Sequence, residues 1–285
     1  MSYIEAIILG LVQGLCEFLP VSSSGHLAIF QNIFGLSESA SENALVVVLL
    51  HLATLVAVVV AFRQRIWGLI CAFFSLIKSI FTGKFSWKTA AVNERMLLLM
   101  IVATLPLLAF VVISDQIEAL FSSLLLVGIA LMVTAVLLSL ADYVTRKYAK
   151  QGKIGKGADE MTVKDSIVVG LFQCVALVPG ISRSGSTITG GLLSGLSRQH
   201  AVEFSFIMSI PAVLGSAILK TKDAIELLPH VEIGPYLVGM VVAAVSGYLA
   251  IKLVELVVKK DKFGAFAYYC AAAGIFAIIY HVITK

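Results

Sequence analysis

Gln13-Gly14-Leu15-Cys16-Glu17-Phe18-Leu19-Pro20-Val21-Ser22-Ser23-Ser24-Gly25-His26 cuts an otherwise apolar segment, Tyr3 to Phe34, in two. Pro20 lacks a backbone N–H and ends the first helix, and the Ser-Ser-Ser-Gly turn opens a second. A further apolar segment, Ser166 to Leu196, is broken at Pro179-Gly180-Ile181-Ser182-Arg183-Ser184-Gly185-Ser186-Thr187. A shift of 160 positions aligns the two, and six of the 17 positions from Gly10 to His26 are identical without a gap. Broken helices at membrane depth are tolerated only where protein or a water-filled cavity satisfies the freed backbone groups. Two such hairpins meeting near the midplane would build that cavity.

Around these hairpins the chain reads as a bundle of spans. Six segments have the roughly 20 apolar residues needed to cross a bilayer: Ala44 to Phe62, Met96 to Ser114, Ser122 to Ala141, Ala201 to Leu219, Pro235 to Val258 and Gly264 to Ile283. Ile66 to Phe81 is shorter, bounded by Arg and Lys, and reads as a partial span or an interfacial helix. Each hairpin is followed by three full spans, and an odd number per copy turns the second copy upside down. The expected architecture is an all-α integral membrane protein, a single membrane domain over residues 1–285. It comprises an inverted repeat of about 1–141 and 166–285 and a linker of about 142–165.

Composition agrees. Of 285 residues, 59% are apolar and 13% charged, with a mean hydropathy of +1.00, far from the roughly 45–50% apolar and 25% charged of soluble domains. This excludes a soluble globular protein, a disordered chain and a nucleic-acid binder that needs a large basic surface. The net charge of +4 is small, so the placement of Lys and Arg is what informs. They crowd the connections Arg63 to Arg95 and Asp142 to Lys164 and recur at Lys259, Lys260 and Lys262, which read as cytoplasmic. The segments around Glu38 and Glu42 and around Asp115 and Glu118 read as external, and Lys220 to Gly234 is placed outside by counting spans. Cys16, Cys71, Cys174 and Cys270 lie far apart without C-x-x-C spacing and read as small buried hydrophobes. The N-terminus lacks a basic n-region and cleavage site, so the mature chain is expected to begin at or near Met1.

The hairpins carry the chemistry. Gln13 and Glu17 are i, i+4 neighbours, so an amide oxygen and a carboxylate share one helix face, a pair suited to a hard cation such as Mg²⁺ or Ca²⁺. The turn at Ser22, Ser23, Ser24 and Gly25 offers hydroxyls and N–H groups at a helix start, where anions bind. His26, three residues after Ser23, is expected within reach of it as a base. Arg183, inside apolar sequence, must face a partner or a cavity, and beside Ser182, Ser184 and Thr187 it makes a phosphate clamp. That set fits phosphoryl transfer, where positioning and charge neutralisation do most of the work. Other readings of the same residues are a structural Glu17–Arg183 pair and Ser/Gly clusters that serve helix packing. Glu203 is expected to support Arg183 or Arg198, whereas His51, His200, His230 and His281 are given no role.

At these motifs the chain resembles the bacterial undecaprenyl-pyrophosphate phosphatase family, also called the bacitracin-resistance family. The resemblance rests on Gln13 to Glu17 as its Glu/Gln-x-x-x-Glu signature, on Phe18 to His26, on Pro179 to Thr187, on Ala201 to Phe206 and on overall length. It implies a multi-pass inner-membrane enzyme that hydrolyses undecaprenyl pyrophosphate to undecaprenyl phosphate and inorganic phosphate, renewing the lipid carrier for cell-wall synthesis. It further implies a divalent cation at Gln13 and Glu17, catalytic roles for Glu17, Ser23, His26 and Arg183, and a site open to the extracytoplasmic side. Many members have Glu where this chain has Gln13, which shifts weight onto Glu17. The nucleophile stays open between Ser23, His26 and a metal-bound water. Expected partners are an isoprenyl pyrophosphate lipid and the bilayer, with no nucleic acid; a homodimer is a further expectation. The competing reading is a secondary transporter or flippase, since inverted repeats with broken helices are a transporter architecture. The other lipid phosphatase superfamily fits less, because neither Ser182-Arg183 nor Ser197-Arg198 is followed by its His and Asp. Replacing Arg183 by Ala is expected to leave folding intact and abolish turnover.

Overall fold

The computed structural model describes residues 1–34, 40–109, 123–227, 232–259 and 263–284. Among them are eleven helices: α1 Tyr3–Phe18, α2 Ser23–Phe34, α3 Ala40–Ala61, α4 Arg63–Phe81, α5 Val92–Leu108, α6 Leu124–Lys150, α7 Val163–Val175, α8 Arg183–Leu193, α9 Arg198–Leu227, α10 Ile233–Lys259 and α11 Ala265–Thr284. The only β feature among the described residues is an isolated bridge between Lys156 and Leu196. The expected external residues Glu38, Asp115 and Glu118, and the basic Lys260 and Lys262, lie outside the described residues, as do residues 228–231 and the side chains of residues 220–227 and of Glu42.

Both broken segments form helix–break–helix hairpins, and local chemistry sets their bounds. Ser2 caps α1 through a reciprocal box with Glu5, as Thr162 caps α7 with Asp165. α1 stops at Phe18 because Leu19 precedes a proline and is forced extended, at ψ 135°. Ser22 then takes a positive φ of 72° before α2 begins. In the second hairpin Gly180, at φ 91°, makes the turn, and a Cβ there would lie 2.6 Å from the Val127 carbonyl oxygen. Thr134 on α6 fixes this turn, donating to the Gly180 carbonyl (3.3 Å) and accepting from the Ser182 N–H (3.0 Å).

Among the described residues five helices are long and apolar enough to cross a membrane, by length and composition: α4, α6, α9 over Arg198–Ile218, α10 and α11. The apolar stretch Leu45–Ala61 of α3 is shorter. α4, expected as a partial span or an interfacial helix, is 19 residues long with a mean hydropathy of 1.3. Only 17% of that stretch is buried, and Cys71 on it is exposed rather than buried as expected. On α10, Val241, Val245 and Leu249 are 64%, 58% and 59% exposed along one face. Such a stripe is unfavourable in water and at home among acyl chains. The chain is a multi-pass, all-α membrane protein.

Without a hydrophobic drive between helices in lipid, close approach of small residues does the packing. α1 lies on α10, where a Cβ at Gly10 would meet the Gly239 carbonyl oxygen at 2.5 Å. α7 lies on α5, where a Cβ at Gly170 would meet that of Ala103 at 2.6 Å. Gly10 and Gly170 are 160 positions apart, as are the hairpins themselves. Ser246 of α10 donates to the Gly10 carbonyl (3.4 Å), and Ser166 of α7 donates to the Leu99 carbonyl. α6 and α11 pack together through Gly128 and Gly274. Gly170→Val is therefore expected to lower stability by about 1–3 kcal/mol through overpacking. Gly215→Ala, which meets nothing within 4 Å on its helix, should raise it by about 0.5–1 kcal/mol. Thermal unfolding in one detergent checks both, and equal shifts would contradict the packing.

Candidate active site at the hairpin tips

The two breaks meet. Ser24 Oγ accepts from the Gly180 N–H (3.3 Å), and Ser184 Oγ donates to the Leu19 carbonyl (3.3 Å). A Cβ on Gly25 would touch Gly180 Cα at 3.2 Å, and one on Gly185 would touch Pro20 Cβ at 3.4 Å. The shift of 160 exchanges the members of these contacts, pairing 25 with 185 and 20 with 180. The tips are also built alike. Ser22 Oγ accepts from the Gly25 N–H (3.1 Å) and Ser182 Oγ from the Gly185 N–H (3.0 Å), each hydroxyl 3.3 Å from that of the serine two residues on. Two helix starts, α2 and α8, are thus brought together, and each leaves its first N–H groups for an outside acceptor.

Glu17 sits in the last turn of α1, 7% exposed, where the negative end of the helix dipole disfavours a carboxylate. Arg183 is the first residue of α8, where the positive end disfavours a cation. Each compensates the other: Arg183 Nη2 donates to Glu17 Oε1. Glu17 Oε2 accepts from Ser23 Oγ (2.7 Å) and from Gln13 Nε2 (3.0 Å), and His51 Nε2 of α3 stands 3.5 Å away. Two buried atoms of this cluster have no protein partner, Arg183 Nη1 and Gln13 Oε1. By their chemistry the first can donate to an anion and the second can accept from a donor or a cation.

Most of the expected residues are brought together, with corrected partnerships. Ser23 is bonded to Glu17 and not to His26. The His26 ring is engaged at both nitrogens, Nδ1 with the Ser22 carbonyl (2.7 Å) and Nε2 with the Tyr269 hydroxyl (2.9 Å), and it stacks on Tyr269 at 5.5 Å. The expected His26 base for Ser23 is therefore not formed, because one helical turn carries the ring toward α11. Thr187 is buried against Ser205 (2.6 Å) and the Arg183 carbonyl (2.8 Å). Ser22, Ser182 and Ser184, all 1–2% exposed, shape the tips, leaving Ser23 and Ser24 half-buried. Glu203 pairs with Arg65 rather than with Arg183 or Arg198.

Two site residues escaped the sequence reading. Tyr269 is 243 positions from His26, and nothing local marks it. His51 was legible, since an ionisable side chain at the eighth residue of the span Ala44 to Phe62 is a functional signal by default. Among the described residues no cluster of three or more His, Cys, Asp or Glu is placed to hold a metal. An ion here would have only Gln13 Oε1 and Glu17 as side-chain ligands and would complete its shell from phosphate oxygens and water, as Mg²⁺ commonly does.

The family model described as bacitracin resistance protein BacA matches residues 6–276. The chain belongs to the BacA family. Its curated relatives include the undecaprenyl-diphosphatase of Alkaliphilus metalliredigens, 37% identical over 99% of this chain and 100% of that one. That of Carboxydothermus hydrogenoformans is 39% identical over 98% and 97%, and that of Methanobrevibacter smithii is 40% identical over 96% of each chain. In this BacA-family chain the Glu17–Arg183 pair alters what Arg183→Ala does to folding. The variant strands a buried carboxylate and should cost about 3 kcal/mol, the low end for a buried pair because Arg183 keeps 19% exposure. Adding Glu17→Gln should restore most of that stability. Thermal unfolding of the two single variants and the double variant checks it, and additive losses would contradict the pairing.

Proposed function

We propose that this chain is a membrane undecaprenyl-diphosphate phosphatase. It hydrolyses undecaprenyl pyrophosphate to undecaprenyl phosphate and inorganic phosphate, recycling the lipid carrier for peptidoglycan synthesis. The observation that carries this reading is the buried, unpartnered Nη1 of Arg183 beside a serine hydroxyl already bonded to a carboxylate. An anion, a nucleophile and a base are thereby provided for at one point, under two helix starts. Transport alone does not require the last two.

The pyrophosphate lies at the starts of α2 and α8, its lipid tail left in the bilayer. Arg183 turns its fork to the phosphate oxygens, a bidentate match, and in doing so releases Glu17 Oε1. Ser23 Oγ attacks the terminal phosphorus while its proton passes to Glu17 Oε2, 2.7 Å away. The bond from that phosphorus to the bridging oxygen breaks, and undecaprenyl phosphate departs with the electron pair. Glu17 passes that proton to the departing phosphate, and, again a carboxylate, takes one from the water that attacks the Ser23-bound phosphorus; the Ser23 Oγ–phosphorus bond breaks, inorganic phosphate leaves and the proton returns to Ser23 Oγ. His26, locked between Ser22 and Tyr269, holds the turn that presents Ser23. A divalent cation, Mg²⁺ or Ca²⁺, held by Gln13 Oε1 and Glu17 would supply charge neutralisation at the phosphates.

The reading extends to architecture. The 160-residue correspondence, the exchanged tip contacts and the matching Gly10 and Gly170 approaches support an inverted repeat of about 1–141 and 166–285. The basic connections Arg63 to Arg95 and Asp142 to Lys164 support a cytoplasmic side in a bacterial inner membrane, with the hairpin site opening on the other side.

The test is phosphate release from farnesyl pyrophosphate by the purified protein with Mg²⁺, with Ca²⁺ and with chelator. Ser23→Ala and Arg183→Ala should each lower turnover by about 10²–10⁴, and Tyr269→Phe by no more than about tenfold, a neutral hydrogen bond being worth about 0.5–1.5 kcal/mol. No release from folded wild-type protein would overturn the assignment in favour of lipid transport. Full activity in Ser23→Ala would remove it as nucleophile.

A further inference from the structure

Away from the hairpins, at the end of the bundle where α3 gives way to α4, lies an open cavity of about 580 Å³. Arg63, Gln64, Arg65, Asn93, Tyr248 and Lys252 line it, with no carboxylate among the described lining residues. α4 starts there at Phe62 without a side-chain cap. Two of the three cations have outlying acidic neighbours, Arg65 with Glu203 and Lys252 with Glu255. Arg63 reaches only the Val60 carbonyl, at 3.5 Å. The cavity is separated from the hairpin site by aromatic contacts. Phe62 in its wall meets Phe206 (6.3 Å between ring centroids), which meets Phe18 (5.4 Å), the neighbour of Glu17.

We propose that this vestibule is a second phosphate site, which binds the headgroup of a phosphomonoester lipid. The charge balance selects an anion, since three cations and two amide side chains line the space and the acidic neighbours of Arg65 and Lys252 lie outside that lining, leaving the charge of Arg63 unopposed. The surroundings select a lipid rather than free phosphate. From the rim of the cavity, Trp67, Ile70, Phe74, Ile77 and Phe81 follow one another at spacings of 3 and 4 along α4. They are 67%, 42%, 65%, 37% and 87% exposed. That is one continuous apolar face, and a chain anchored by its phosphate in the vestibule lies along it. Zwitterionic headgroups lack the net charge to be selected, whereas basic residues at a membrane surface draw anionic ones. The inference does not depend on the phosphatase reading, because none of these residues touches the hairpin cluster.

Native mass spectrometry of the detergent-purified full chain tests it with farnesyl phosphate, inorganic phosphate and dodecylphosphocholine as probes. Arg183→Ala serves as background, removing the anion clamp at the hairpins. One farnesyl phosphate should remain bound. Arg63→Gln with Lys252→Gln should weaken it about tenfold or more, and Arg63→Lys with Lys252→Arg should keep it. Arg65 is left in place because its loss would strand Glu203. Monodisperse elution and a melting temperature equal to that of the Arg183→Ala background establish that the variants fold. Equal binding in the Gln pair, or loss of all binding in Arg183→Ala alone, would overturn the proposal. Dodecylphosphocholine bound as tightly would also overturn it, as a mere hydrophobic contact. Inorganic phosphate bound as tightly would overturn the lipid assignment.

Discussion

Glu17 and Arg183 each stand at the wrong end of a helix. A carboxylate in the last turn of α1 and a guanidinium in the first of α8 are both disfavoured by the dipole of their own helix, and both are withdrawn from water. Their ion pair is what makes the two positions tolerable, and it can form only if the two broken hairpins meet tip to tip. The rest of the structure follows from that requirement. Gly180 and Gly25 are bare where the tips touch, Thr134 of α6 pins the second turn, and the serine caps of both turns keep the helix starts aimed at one another.

A pair that compensates two misplaced charges is also easily exchanged. A phosphate arriving at the N-terminus of α8 is favoured by the helix end and by Arg183 together, and it leaves the carboxylate free to handle a proton. The same pair that the fold needs at rest therefore becomes a binding group and a base once substrate is present. This gives the structural reading, a Glu–Arg contact, and the catalytic one a common origin.

Much of this was legible in the residues. The two breaks, their 160-residue correspondence, the i, i+4 placement of Gln13 and Glu17 and the isolated Arg183 all follow from local rules of helix termination and from the cost of charge in lipid. What was not legible depends on contacts between distant segments. Which partner Ser23 takes depends on where Glu17 lies across a turn whose Ser22 has a positive φ. His26 is carried to Tyr269 by the rotation of α2, and Glu203 is taken by Arg65 across 138 positions.

The most direct test of the central claim is the affinity of a non-hydrolysable farnesyl methylene-bisphosphonate for the wild-type protein and for Arg183→Ala and Glu17→Gln. If substrate displaces Glu17 from Arg183, the analogue should bind about 10²-fold more weakly to Arg183→Ala, a loss of about 3 kcal/mol for a charged hydrogen-bonded contact. With chelator present, so that a cation at Glu17 plays no part, it should bind at least as tightly to Glu17→Gln, where no carboxylate competes for the guanidinium. Unchanged affinity in Arg183→Ala would contradict the account, and would return the Glu17–Arg183 pair to a purely structural role.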